Sequence, residues 1–257
     1  MNANWCEVCT HYYQELKETP DMNRKGFIVN PFRMLSKDVD AEVLRLKELH
    51  LRRVSESSTL HEGLLIMISK LIEITRLLSE CIVTHNKPQM DQCAAMIKQL
   101  DEEEKILTRH LLTSGLSGDM WKGVIRFPYR LKRIGDMLDS ILRCTRIKGE
   151  AGVPFSDVAG EELGQIFSML LKMMTGLREA FNNPTLDLLR TVEAQCATLR
   201  QLVDDFRQAH WKRLQLGICV PDASSMYRDI LDSVKLTGEY LEKMSVWLLE
   251  VGEGQAE

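Results

Sequence analysis

No stretch of this 257-residue chain approaches the ~18 consecutive apolar residues that a membrane span needs. Its greasiest run, GLLIMISKLIEI, is interrupted by Lys70 and Glu73. The amino terminus, MNANWCEVCTHYYQEL, lacks the basic start and apolar core of a signal peptide, so the expected location is the cytoplasm. A basic surplus is missing too: 33 Lys and Arg face 37 Asp and Glu, for a net charge of −4. That excludes a general nucleic-acid binder, whose phosphate contacts demand cations. There is no glycine-rich phosphate loop and no H-E-x-x-H. The six histidines, His11, His50, His61, His85, His110 and His210, stand beside no nucleophile motif, so no catalytic set is expected.

Cysteine is present in an odd number, seven, and is scattered through helical patterns rather than spaced as a disulfide framework. Such thiols pack as small hydrophobes in a reducing compartment. The exception is the pair Cys6 and Cys9 in WCEVCTH, with His11 close by. A C-x-x-C supplies half a tetrahedral zinc site or a redox disulfide, but no second pair completes a ligand set.

Strand alternation is absent as well, and apolar residues instead recur at three- and four-residue spacing from about Lys37 onward. Leu64, Leu65, Ile68, Leu71, Ile72, Thr75 and Leu78 form one such face. HNKP (85–88) and NNP (182–184) read as helix stops followed by proline-started helices. TSGLSGD (113–119) and GICVPD (217–222) read as loops leading to an aspartate or serine cap. KGEAGVPFSD (148–157) is the longest stretch rich in breakers, and Pro128 must kink a helix or mark its start. The pattern predicts an all-α protein of six long helices in two sets of three. Thirteen methionines at helical spacing read as core filler, with Met169, Met173 and Met174 offering a less favoured partner surface.

The two sets repeat each other. One constant shift carries Asp101 onto Asp204, Lys132 onto Lys235, Gly135 onto Gly238, Asp136 onto Glu239 and Asp139 onto Glu242. A slightly shorter shift brings Gly63 near Gly164 and Lys70 near Lys172. The expected organisation is therefore a partly helical extension (1–57), a first antiparallel three-helix repeat (58–147), a linker (148–156) and a second repeat (157–252). Within the extension, SKDVDAEVLRLKELHLRRV reads as an extra helix on the first bundle.

A duplicated three-helix bundle whose third helices carry RLKRIGDMLDSIL resembles the PhoU family of phosphate-uptake regulators. Arg133, Ile134, Gly135 and Asp136 reproduce the family's core stretch, and DEEEKI (101–106) is similar to the acidic patch of its second helices. The second half keeps Gly238 and an acid, Glu239. The resemblance implies a non-enzymatic cytoplasmic adaptor. Its partners would be a phosphate transporter or permease and a sensor kinase, and it would sit peripherally at the inner membrane through such a partner. It also implies iron or zinc held by an acid-x-x-x-aspartate pair on each third helix, helped by an aspartate from the second. A homodimer is left open.

The candidate positions are Asp101, Glu104, Lys132, Asp136 and Asp139, and their counterparts Asp204, Lys235, Glu239 and Glu242. Side chains at i and i+4 are neighbours on a helix, so two acids there chelate one cation, and hard carboxylates suit Mg, Mn or Fe. Here the first acid of each pair is a lysine, Lys132 or Lys235, which repels a divalent ion and pairs with the carboxylate instead. Should metal bind, Asp136 and Glu239 are the residues to hold it. A plain solvated ion pair, a metal-free charge cluster, a metal-binding bundle and a scaffold unrelated to phosphate all remain open at this point.

Overall fold

A computed structural model describes residues 37–113, 123–183 and 185–253, with side chains from residue 60 to residue 250 of these. Six helices run in order: α1 Lys37–Thr84, α2 Lys87–Thr113, α3 Phe127–Ala151, α4 Asp157–Asn182, α5 Leu186–Gln215 and α6 Pro221–Glu253. No strand occurs among the described residues. The all-α expectation holds, with α1–α3 packed as one bundle and α4–α6 as another. Across the two bundles, α1 packs on α4 and α3 packs on α6.

That arrangement explains the width of each apolar face. α1, α3, α4 and α6 pack both within and across bundles. α4, for instance, buries Leu163, Ile166, Phe167, Leu170, Met173, Met174, Leu177 and Phe181. α2 and α5 lie outside and bury narrow stripes, Met90, Cys93, Leu100, Leu107 and Leu111 on α2. On α1 the buried face is Leu64, Met67, Ile68, Leu71, Ile74, Thr75 and Leu78, while Leu65 and Ile72 only flank it. Thr75 returns its hydroxyl to the Leu71 carbonyl (2.7 Å) and lies 3.4 Å from the Met174 sulfur, at the α1–α4 contact. Met173 and Met174 are therefore core and not a docking surface.

Helix ends follow local chemistry. His85 sits at φ 51°, and Asn86 caps α2 by accepting from the Gln89 amide (3.3 Å). Thr185 caps α5 in the same way, accepting from the Leu188 amide, and Ser156 caps α4 through the Ala159 amide. Pro128 lies in the first turn of α3 and marks its start, where its missing N–H is harmless.

Three boundaries differ from the expectation. The predicted extra helix is no separate element, because α1 runs 48 residues without a break from Lys37. The middle breaker is shorter than 148–156: α3 continues to Ala151 and closes on Gly152, whose φ of 64° suits a residue without Cβ. α6 starts at Pro221, so Asp222 falls in its first turn, where a carboxylate faces the positive helix end, and not at the cap. Of the loop 113–119, residues 114–119 lie outside the described residues, as do Cys6 and Cys9.

Candidate functional site

Lys132, Asp136 and Asp139 fall at i, i+4 and i+7 of α3, beside α2, which carries Asp101 and Glu104. Lys132 places its ammonium 3.0 Å from both Asp136 oxygens and 3.9 Å from Asp101. Arg133 adds a second cation to Asp136 at 2.9 Å. Asp101 has a nearer partner on its own helix, Lys105 at 2.8 Å. The hydrogen bond from Lys105 is the main reason its carboxyl lies below the usual range. Glu104 accepts from the Thr108 hydroxyl (2.8 Å), and Asp139 pairs with Arg143 (3.0 Å) on the exposed side. Only Asp101, Lys132 and Asp136 of the five predicted residues are brought together.

The second half resolves the same positions differently. Lys235 reaches across to α5 and bonds both oxygens of Asp204, at 2.9 and 3.2 Å. The expected pair Lys235–Glu239 is not formed. The reason lies in the neighbouring helix. Position i+4 from Asp101 is Lys105, which claims that carboxylate, whereas position i+4 from Asp204 is Gln208. Asp204 is left to bridge Lys235 and Arg207, the latter at 3.2 Å, and Arg207 also binds Asp232. Glu242 takes the Arg200 guanidinium at 2.6 and 2.7 Å. Glu239 makes no hydrogen bond or ion pair with a described residue, although its charge contributes to raising the Arg200 pKa.

This donor set does not suit a divalent cation. Asp136, Asp204 and Glu242 each already face an ammonium or guanidinium at 2.6–3.2 Å. Among the described residues, no three His, Cys, Asp or Glu side chains gather as a metal site.

Gly135 and Gly238 have a visible packing role. A Cβ on Gly135 would lie 3.2 Å from the Leu100 methyl, and one on Gly238 would lie 2.9 Å from the Leu199 methyl. The middle helix of each bundle nests into the glycine of the third.

Sequence reasoning missed a buried polar cluster of the second bundle, beside the interbundle turn. Glu162 of α4 accepts two bonds from Arg213 of α5, at 2.9 and 2.6 Å, and a third from the Tyr227 hydroxyl of α6. The His210 ring lies over Tyr227 at 4.6 Å, and neither ring nitrogen has a hydrogen-bond partner among the described residues. Phe155 of the turn bridges Tyr227 to Lys148, whose ammonium sits 4.7 Å above the Phe155 ring. Lys148 is buried, bonds the Ile82 carbonyl (3.3 Å) and lies 2.8 Å from His85 Nε2, and its desolvation lowers its pKa. The available signal was a charge at a core-facing position: Glu162 adjoins Leu163 and lies four residues before Ile166.

The architecture defines a class: all-helical proteins made of two packed three-helix bundles with glycine-containing third helices. The particular likeness is to PhoU proteins, and the fold is PhoU-like. The crystal structure of the phosphate transport system regulatory protein PhoU from Streptococcus pneumoniae superposes with a TM-score of 0.69 at 13% identity, over 79% of this chain and 97% of that one. PhoU from Pseudomonas aeruginosa gives 0.70 at 15% identity, over 78% and 98%. Neither a protein-family model nor a curated protein sequence matches the chain. No described helix is long and apolar enough to cross a membrane.

Proposed function

We propose that this chain is a non-enzymatic regulator of phosphate transport and phosphate-responsive signalling. It acts in the cytoplasm by contact with a membrane phosphate transporter or permease and with a sensor kinase. One observation carries the reading: the likeness takes in 97% and 98% of two PhoU chains, one of them titled a phosphate transport system regulatory protein. The Arg133–Ile134–Gly135–Asp136 stretch supports it, since Gly135 seats Leu100 while Asp136 sits in the charge cluster between the second and third helices. The metal-binding alternative loses ground because lysine and arginine already neutralise the carboxylates that would serve as ligands.

Deleting the gene in its host and following a phosphate-starvation reporter together with phosphate uptake tests the proposal. The reporter should lose its response to external phosphate, and complementation should restore it. A reporter that tracks phosphate equally with and without the protein refutes the reading.

A further inference from the structure

About half of the described arginines are matched to carboxylates. Arg76 has Glu73 and Glu80, Arg143 has Asp139, Arg146 has Asp91, Arg200 has Glu242, Arg207 has Asp204 and Arg213 has Glu162. One end of the α3–α6 seam gathers two that are not, with a third beside them. Arg126, Arg130 and Arg133 follow at i, i+4 and i+7 along the start of α3. Antiparallel to them, α6 presents Tyr240, Lys243 and Trp247. Arg133 Nε donates to the Tyr240 hydroxyl (3.4 Å), Arg130 donates to the Lys243 carbonyl (2.9 Å), and Trp247 packs edge-on against Phe127. The Lys243 ammonium rests 5.4 Å over the Tyr240 ring, and Tyr129 stands 53% exposed alongside.

Lys132 and Arg133 share Asp136, and of the nearby α6 acids Glu242 is taken by Arg200 while Glu239 pairs with none of these cations. Arg126, Arg130 and Lys243 have no carboxylate partner among the described residues. Arg130 is half-buried, its pKa lowered first by desolvation and then by the Arg126 charge. Two cations held together without a counter-charge in a chain of net charge −4 are not a by-product of composition. Nor does the fold demand them. The repeat shift carries Arg126, Tyr129 and Arg133 onto Asp229, Asp232 and Leu236, so the other end of the same seam bears acids.

We propose that the basic end of the α3–α6 seam, centred on Arg126, Arg130 and Lys243, is a docking surface for an acidic segment of a partner protein. The composition selects a protein over a lipid surface. Arginine and tyrosine are the residues enriched at protein interfaces, where planar guanidiniums take carboxylates in two-point contact. Recruitment to anionic lipid instead relies on larger clusters, of about four to eight Lys or Arg free to face the surface. As a statement about the regulator's partner this rests on the reading above; as a statement about binding it stands alone.

The test uses the full-length protein with a labelled oligoglutamate peptide, read by fluorescence anisotropy over a range of salt, with an oligoglutamine peptide as control. The triple variant Arg126→Gln, Arg130→Gln, Lys243→Gln is compared with the charge-matched triple Arg76→Gln, Arg143→Gln, Arg146→Gln. The seam triple should bind oligoglutamate about tenfold more weakly, the product of two exposed contacts and one half-buried one of roughly two- to threefold each. The control triple should bind like the parent, and salt should weaken the parent most. If the seam triple fails to fold, the exposed double Arg126→Gln, Lys243→Gln should show about fivefold. Equal losses in both triples, or equal affinity for oligoglutamine, overturn the proposal. So does binding to phosphatidylglycerol vesicles without peptide binding, or self-association that the seam triple abolishes. Peptide binding confined to the seam with a normal phosphate reporter in the deletion strain sinks the regulator reading and leaves this surface standing. A lost reporter response without peptide binding does the reverse.

Discussion

Lys132 and Lys235 hold equivalent places in the two halves, yet each closes a different ion pair. One binds Asp136 on its own helix and the other binds Asp204 on the next. Both occupy the position where the resembled family carries an acid. Replacing them by acids therefore tests what the charge does. The double variant Lys132→Glu, Lys235→Glu should bind manganese or iron more tightly than the parent, because each new carboxylate lies beside Asp136 and Asp101, or beside Asp204. Added metal should then raise its melting temperature. Elemental analysis and melting curves with and without manganese decide it. Stoichiometric metal in the parent, lost on Asp136→Ala, would show that the lysines do not replace the metal's charge. His210 gives a second test at this scale. Burial lowers its pKa and Arg213 adds to the depression, against an opposing contribution from Glu162 and a further lowering by Arg228. The folded state therefore takes a proton less readily than the unfolded chain, whose histidines titrate near ~6.5. The resulting stability is complete above about pH 6.5 and is lost as pH falls through the lowered folded value. His61 and His85 shift the same way, also chiefly by burial. Changing His210→Phe gives up no hydrogen bond, so it should reduce, without abolishing, the drop in melting temperature on acidification. An unchanged drop would acquit this ring.

At the scale of the helix, two kinds of glycine separate cleanly. Nothing lies within 4 Å of a Cβ built on Gly164, whereas one on Gly238 would meet Leu199 at 2.9 Å. Gly164→Ala should therefore stabilise by about 0.5–1 kcal/mol through helix propensity, a rise of roughly 1–4 °C for a chain of this size. Gly238→Val should destabilise despite a smaller helix-propensity gain over glycine, since a branched side chain cannot enter the seat of Leu199. Thermal melts of both variants check this; a stabilised Gly238→Val would remove the packing role. What the sequence discloses follows the same division. Periodicity reports that Leu64, Ile68 and Leu71 face a core, and HNKP, NNP and Pro128 report breaks near the starts of α2, α5 and α3. It cannot report which helix each face meets, so the broad faces of α4 and α6 and the unbroken start of α1 were not legible. The acids and lysines of the candidate cluster were legible, but the choice of Lys235 between Glu239 and Asp204 was not. That choice depends on the distance between helices and on whether a lysine or Gln208 sits one turn beyond the aspartate. Glu162 was hidden for a related reason, because its partners Arg213 and Tyr227 come from helices 51 and 65 residues later.

For the molecule as a whole, the question is whether two repeated bundles behave as one cooperative unit. Phe127, fully buried at the start of α3, answers structurally. Its ring meets Phe181 of α4 at 5.3 Å and Trp247 of α6 at 5.0 Å, so one side chain of the first bundle is enclosed by both elements of the second that face it. Trp247 in turn lies where a Cβ on Gly123 would stand, so the contact extends into the residues preceding α3. At the other end the Lys148–Phe155–Tyr227 stack joins the bundles again. Linked at both ends, the halves should unfold in a single calorimetric transition. Phe127→Ala removes a large aromatic from the interface and should cost about 3–5 kcal/mol. If each bundle retains its own core, the loss should fall on the coupling and split the transition in two. Leu100→Ala, which opens a cavity inside the first bundle beside Gly135, destabilises that bundle alone and should lower the midpoint while leaving the interface intact. Scanning calorimetry of parent and both variants separates the cases. Two transitions already present in the parent would mean that the interface is too weak to couple the repeats. A single, merely lowered transition in Phe127→Ala would mean that neither bundle is stable without the other, and the duplicated unit would then be a unit of sequence and not of folding.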